Sequence, residues 1–109
     1  MADEPITKWT GLYGTEYEYR VNPIGTTYKA IPGNYIFARM SMYGDWIPIY
    51  VGETDNLRER LTESHEKMEC VNRYGGTHIH THVSSDSQKE RCKEESDIID
   101  KWNPPCNLE

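Results

Sequence analysis

Hydrophobic and polar residues alternate over several short stretches, and this alternation predicts a chain whose first half is rich in β-strands. Residues 16–21 alternate tyrosine or valine with charged residues, which is typical of a half-buried strand. The turn residues of 22–25 follow, and 26–30 resumes an extended pattern, so we expect a β-hairpin here. Residues 1–8 are polar and are predicted to be loosely held.

A second hairpin is predicted between residues 34 and 51. The alternation of residues 34–42 places Tyr35 on one face of a strand and Ile36 on the other. Residues 43–45 have the composition of a turn, and 46–51 return as the antiparallel partner strand.

The stretch after this hairpin predicts a glycine turn followed by a helix over residues 55–68. Gly52 lets the backbone turn where a side chain would clash, and Thr54 or Asp55 can cap the helix. Arg60 lies at the edge of the predicted buried face. That face carries four residues at helical spacing: Leu57, Leu61, Ser64 and Met68.

The rest of the chain predicts a loop over 69–76, a strand over 77–84 and a helix over 87–102 that Asp86 can cap. One face of the strand carries three histidines: His78, His80 and His82. The predicted buried stripe of the helix is Cys92, Glu95, Ile99 and Trp102. This order of elements predicts an α+β fold, with a small antiparallel β-sheet flanked by helices and an extra N-terminal β-hairpin.

Charge and composition narrow the classes of function. The net charge of −6 counts against non-specific nucleic-acid binding, which relies on neutralising phosphates, unless a local positive patch or a bound cation contributes. No apolar run approaches the ~20 residues of a membrane span, and the N-terminus lacks a signal peptide, so we expect a soluble, cytoplasmic protein. The three cysteines, Cys70, Cys92 and Cys106, form no CxxC pair, which favours free thiols.

Two sets of residues are candidates for a functional site. Glu95 lies in a predicted buried stripe, and a buried carboxylate needs a cation, a metal or a proton; the ordinary alternative is a salt bridge to an arginine. The three histidines suggest zinc, but neighbours on one strand face stand roughly 6–7 Å apart, which is too wide for one ion. A polar sheet face is therefore favoured over a zinc site.

Four sequence elements, in order, resemble the GIY-YIG nuclease family. G-N-Y occupies 33–35, Y-V-G occupies 50–52, and Arg60 follows ten residues after Tyr50. The fourth element matches the family ending E-x-x-L-I … P-x-x-N with Glu95, Ile98, Ile99, Pro104 and Asn107. The nuclease domain of the bacterial nucleotide-excision-repair incision subunit and small prophage-type members look most similar. The resemblance implies a nuclease-like domain over 33–107, an N-terminal extension over 1–32 whose hairpin packs on it, and a tag remnant at 108–109.

The resemblance also implies a role for each matched residue. Tyr35 and Tyr50 match tyrosines of which one deprotonates or positions the attacking water, and Arg60 matches the arginine that steadies charge on the scissile phosphate. Glu95 matches the carboxylate that holds one divalent cation, Mg²⁺ or Mn²⁺. Asn107 is expected to be structural. The implied activity is hydrolysis of DNA phosphodiester bonds, leaving a 5′-phosphate and a 3′-hydroxyl.

The chain departs from the family pattern at two positions. Many members have a histidine four residues after the arginine, where Ser64 stands here; His65 is displaced by one, roughly 140° round a helix from Arg60. His65 stays a candidate catalytic residue if the helix is rotated or ends early, and a strand histidine such as His80 is the alternative. Many also have a lysine where Glu53 stands. Together with the acidic surface, these departures keep open a catalytically weak or inactive binding module for DNA or protein. For the nuclease, they imply weak DNA binding that a protein partner supplements. We expect a monomer or weak dimer.

Overall fold

The computed structural model describes residues 5–83 and 87–109. They form one five-stranded antiparallel β-sheet with short helices on one face and a long helix on the other, which confirms the predicted α+β class. A short 3₁₀ segment at Pro105–Asn107 is the last element of the chain, and we call it the C-terminal turn. The elements are β1 (Ile6–Thr10), β2 (Glu16–Pro23), β3 (Gly33–Met40), β4 (Trp46–Thr54), α1 (Leu57–Arg60), α2 (Met68–Arg73), β5 (His78–His82) and α3 (Gln88–Trp102).

The strand order is β1-β2-β5-β3-β4, which places β3 inside the sheet and leaves β4 at an edge. β3 is buried on both faces because helices cover both sides. Tyr35 and Phe37 pack into the core under α1 and α2, and Ile36 and Ala38 pack into the core under α3. The alternation predicted for this strand is therefore confirmed.

The C-terminal turn covers the free edge of β4 through one side chain. The Val51 N–H donates to Asn107 Oδ1 at 2.8 Å, and Asn107 Nδ2 donates to the Val51 carbonyl at 2.8 Å. The carboxamide thus makes the pair of hydrogen bonds that a further strand would make. This contact fits the structural role expected for Asn107.

The predicted β3–β4 hairpin is present, but the N-terminal hairpin has a different partner strand. β2 pairs with β1 on one side and with β5 on the other, so both of its edges are occupied. Residues 26–30 therefore have no edge to join and form no strand. Residues 6–8, predicted to be loose, belong to β1. The hairpin continues the main sheet, and the domain division at residue 32 stays a prediction.

The helix predicted over 55–68 is wrong. α1 is a single turn capped by Asn56, whose Oδ1 accepts the Glu59 N–H at 3.2 Å, and not by the two residues predicted as caps. The chain then leaves helical geometry at Leu61, and Thr62 Oγ1 accepts the Ser64 N–H at 3.2 Å. Hydroxyl side chains that bond nearby backbone in this way compete with helix formation. The second helical piece, α2, lies where a loop was predicted.

The predicted helix α3 is present, but its buried stripe is shifted by one residue, about 100° round the helix. The predicted cap, Asp86, lies outside the described residues, and Ser87 Oγ accepts the Glu90 N–H at 3.3 Å. Trp102, predicted as buried, is 40% exposed, and Glu95 lies at the edge of the buried face. The residues that α3 buries are Arg91, Glu94 and Ile98.

The prediction of free thiols is wrong for two of the three cysteines. Cys70 on α2 and Cys106 in the C-terminal turn form a disulfide, while Cys92 is free as predicted. Both bridged cysteines are buried in the core beneath the short helices, which brings them together although 36 residues separate them. Within residues 5–83 and 87–109, no helix is both long and apolar enough to cross a membrane.

Candidate active site

Strands β3 and β4 bring the two motif tyrosines together, with ring centroids 6.2 Å apart. Tyr35 lies directly opposite Gly52 in the strand register. A Cβ atom on Gly52 would lie 2.5 Å from the Tyr35 hydroxyl oxygen, so only glycine leaves room for the ring. β4 continues through Gly52 to Thr54, so the predicted turn at this glycine is wrong and the close contact with the ring explains its presence.

Arg60 ends α1 and reaches back to both tyrosines. Its Nε donates to Tyr35 Oη at 3.2 Å, and its charge lowers the pKa of Tyr50. Its Nη2 forms an ion pair with Glu66 Oε1 at 2.6 Å, where the glutamate side chain is largely exposed. The arginine is therefore anchored at one nitrogen, and a second nitrogen faces a solvent-exposed partner.

His65 lies against the same tyrosine, although helical spacing placed it on another face. Because the chain leaves the helix at Leu61, the imidazole folds back, and it is only 5% exposed. Its Nε2 lies 2.8 Å from Tyr35 Oη, and its ring packs edge-on against the rings of Phe37 and Tyr50. Because α1 ends early, His65 reaches Tyr35, which it would not reach if the helix were longer.

The protonation state of His65 follows from its second nitrogen. The Lys67 backbone N–H donates to His65 Nδ1 at 3.0 Å, so Nδ1 is unprotonated. Burial, followed by the charge of Arg60, lowers the pKa of His65 to about 4, so the ring is neutral at pH 7. A neutral ring with a bare Nδ1 carries its proton on Nε2, which donates to Tyr35 Oη. Tyr35 Oη therefore accepts two N–H groups, and its own proton is free to point into the cleft.

Burial and neighbouring charges act in opposite directions on the two tyrosines. Burial raises the pKa of Tyr35 and of Tyr50, while the charge and hydrogen bond of Arg60 lower them. The charge of Glu95 raises both, so this carboxylate acts on the two tyrosines from α3. Tyr35 contacts Tyr50, Arg60 and His65, and we call the space between this cluster and Glu95 the cleft.

Glu95 is a half-buried carboxylate with too little positive charge around it. Burial, followed by the charge of Glu53, raises the pKa of Glu95 to about 7, although the nearby Glu53 backbone N–H acts in the opposite direction. The Glu53 side chain accepts a hydrogen bond from Arg91 Nε at 3.0 Å, and Arg91 is 3% exposed. Sequence reasoning missed Arg91 because its helical phase was wrong by one residue.

The three histidines of β5 have partners other than a metal ion. His80 is fully buried and its Nδ1 accepts the Trp9 Nε1–H at 2.9 Å. His82 Nδ1 lies 2.8 Å from Glu94 Oε2, and His78 lies 2.8 Å from the Thr77 hydroxyl. Within the described part of the chain, no group of three or more histidine, cysteine or acidic residues could hold a metal ion.

This architecture is similar to that of solved endonuclease domains. Two crystal structures of the GIY-YIG N-terminal endonuclease domain of UvrC from Thermotoga maritima match with TM-scores of 0.59, at 26% and 25% identity. Each match covers 74% of this chain and 87% of the other. This chain has the GIY-YIG endonuclease fold. No protein-family model matches the chain, and no curated protein sequence matches it.

The GIY-YIG fold confirms the resemblance that the four sequence elements indicated. Both UvrC structures are tyrosine-to-phenylalanine point mutants with the catalytic divalent cation bound. The similarity in fold supports a nuclease function for this chain, and it also supports a divalent metal ion. The roles of the individual residues in this chain stay predictions, and the distances and hydrogen bonds described above say which atoms each role involves.

Proposed function

We propose that the protein is a divalent-metal-dependent DNA endonuclease that hydrolyses phosphodiester bonds, with Mg²⁺ or Mn²⁺ as its ion. The observation that carries this proposal is the arrangement around Tyr35 Oη. That oxygen accepts N–H groups from His65 and Arg60, and Glu95 faces it across the cleft. Two donors at one phenol oxygen fix its orientation and leave its own O–H free to hydrogen-bond the attacking water.

The donor set fits a hard divalent cation. Glu95 is a half-buried carboxylate with a raised pKa, and a bound cation would offset the unfavourable charge that causes this rise. Magnesium needs only one or two carboxylates when waters and substrate phosphate complete its shell, so Glu95 is sufficient. When bound, the ion would supply Lewis-acid stabilisation of charge on the phosphate.

The other side chains of the cleft bind the substrate and orient the attacking water. Tyr35 stays a phenol, since burial raises its pKa, and it holds the water through its own O–H, while Tyr50 lines the same cleft and orients the water. Arg60 keeps its Nε–H bonded to Tyr35, and its Nη2 exchanges the exposed Glu66 for a phosphate oxygen. A guanidinium can do this because it binds two acceptors at once. His65 keeps the phenol oxygen oriented without carrying charge itself.

The test is metal-dependent nicking of plasmid, branched and single-stranded DNA. Glu95→Gln is expected to lower the rate by at least about 100-fold, the scale seen when one charge-stabilising group is removed. Glu90→Gln is the matched control, because this exposed residue lies on the same helix away from the cleft. Equal cleavage by wild type and Glu95→Gln would contradict the enzyme proposal.

A catalytically idle binding module is the second candidate. It is favoured by Glu53, which adds a negative charge beside Glu95, and by the net charge of −6. An NMR titration with Mg²⁺ separates the two, since a nuclease shifts the amide signals around Glu95 and an idle module does not. Weak cleavage by the isolated domain would point to a protein partner that supplies DNA affinity.

A further inference from the structure

Helix α3 is attached to the end of the β3–β4 hairpin through a single buried arginine. Asn34 and Glu53 are direct partners in the strand register, and both bind Arg91. Asn34 Nδ2 donates to the Arg91 carbonyl at 2.8 Å, and Arg91 Nε donates to Glu53 Oε2 at 3.0 Å. Neither Asn34 nor Arg91 is more than 3% exposed. We call these three residues the Arg91 clamp.

Arg91, the member of the clamp on α3, lies one helical turn before Glu95, so the two side chains are neighbours on the helix surface. The Val51 N–H points outward from the edge of β4, toward Asn107, so the Glu53 N–H two residues later also points outward. That N–H faces the Glu95 carboxylate and stabilises its charged form. Glu53 therefore acts on α3 twice, through its side chain at Arg91 and through its backbone N–H near Glu95.

We propose that the Arg91 clamp positions the Glu95 carboxylate for the divalent cation, an inference that rests on the proposed function. The clamp fixes the phase of α3 relative to β4, so the Glu95 carboxylate keeps one direction relative to β4. The three residues of the clamp are positioning residues, and they act through Glu95.

Positioning and simple electrostatics predict opposite effects of removing the arginine charge. Arg91 is a cation paired with Glu53, whose own charge raises the pKa of Glu95, so by Coulomb's law alone its neutralisation would strengthen the binding of a divalent cation. If Arg91 acts by positioning, its neutralisation weakens that binding, because the Glu95 carboxylate loses its fixed orientation. The sign of the change in affinity therefore decides between the two.

The first experiment uses metal-free protein and NMR hydrogen exchange at the Glu53 amide. Arg91→Met and Asn34→Ala are expected to speed exchange of this amide by about tenfold, as loss of one hydrogen bond implies. Arg73→Met is the matched control, because Arg73 is an exposed arginine paired with Glu109 at the far end of the chain. Unchanged exchange at Glu53 in both clamp variants would overturn the proposal.

The second experiment measures Mn²⁺ affinity by electron paramagnetic resonance. Arg91→Met is expected to weaken binding by about tenfold, within the range known for groups that orient metal ligands, and Glu53→Gln/Arg91→Met is expected to bind no more weakly. The double variant buries no unpaired charge, so it keeps the test valid if Arg91→Met fails to fold. Tighter binding in Arg91→Met, or losses that multiply in the double variant, would overturn the proposal.

The two experiments separate failure of the clamp from failure of the proposed function. If the wild-type protein binds no Mn²⁺, the nuclease proposal fails, and the Glu53 exchange data still decide whether the clamp holds Glu95. If wild type binds and cleaves, saturating Mn²⁺ is expected to restore most of kcat in Arg91→Met, since the lost step is metal binding. A kcat that stays low at saturation would contradict positioning through Glu95.

Discussion

Replacing Gly52 with alanine tests whether the glycine of β4 exists to accommodate the Tyr35 ring. The added Cβ would lie 2.5 Å from both Cζ and Oη of Tyr35, against the ~3.5 Å of an ordinary carbon contact. The ring must therefore move by about 1 Å. It cannot swing aside, because Phe37 packs edge-on against it and His65 holds its hydroxyl at 2.8 Å.

The expected cost combines two effects. Overpacking a filled core destabilises by about 1–3 kcal/mol, and weakening the Tyr35–His65 hydrogen bond adds about 1 kcal/mol. Gly52→Ala should thus lower the free energy of unfolding by about 2–4 kcal/mol, measured by urea denaturation. A displacement of this size in an active site also lowers a cleavage rate by about 100-fold.

A smaller side chain at position 35 provides the control. In a Tyr35→Leu background the ring is gone, so Gly52→Ala should cost less than about 0.5 kcal/mol, and the two changes should be strongly non-additive. If Gly52→Ala destabilises both backgrounds equally, the ring contact does not explain the glycine.

Three further predictions concern stability. His65 and His80 each have a pKa lowered to about 4 by burial, so they stay neutral in the native state while the unfolded chain protonates near pH 6.5. The free energy of unfolding should therefore fall, by up to about 3 kcal/mol per histidine, as the pH drops from 6.5 to 4, and urea titrations of His65→Gln should show a shallower fall. Asn107→Ala should cost about 1–3 kcal/mol by thermal unfolding, because two hydrogen bonds are lost; no effect would show that the edge contact is absent in solution. Reducing the Cys70–Cys106 disulfide, which closes a 36-residue loop, should cost about 4 kcal/mol on a chain-entropy estimate, and Cys92→Ser should leave that cost unchanged in denaturation with and without reductant.

Local pattern was sufficient to predict the β3–β4 hairpin and the motif tyrosines. An alternating strand, a turn at residues 43–45 and a returning strand define each other within 22 residues of chain, so no distant contact is needed. The family resemblance then selected Tyr35 and Tyr50, which lie close together on this locally determined element.

Elements that depend on distant partners were predicted poorly. Glu94 is buried although it is acidic, because the Tyr19 hydroxyl, 75 residues away, donates to it at 2.6 Å, and the pattern of α3 alone does not reveal this partner. His65 reaches the site only because the chain leaves α1 at Leu61, a departure that helical periodicity does not reveal. Residues 26–30 look like a strand, but both edges of β2, their expected partner, are occupied.

The docking of Asn107 on β4 also bears on self-association. An exposed edge strand is a template on which another copy can add a strand, and such edges are common starting points for aggregation. Here Val51 has both backbone groups occupied by Asn107, and the Glu53 N–H faces the Glu95 carboxylate. The strand that carries Tyr50 is therefore closed to sheet extension by the same contacts that shape the cleft. Variants that free this edge should then lose solubility as well as activity.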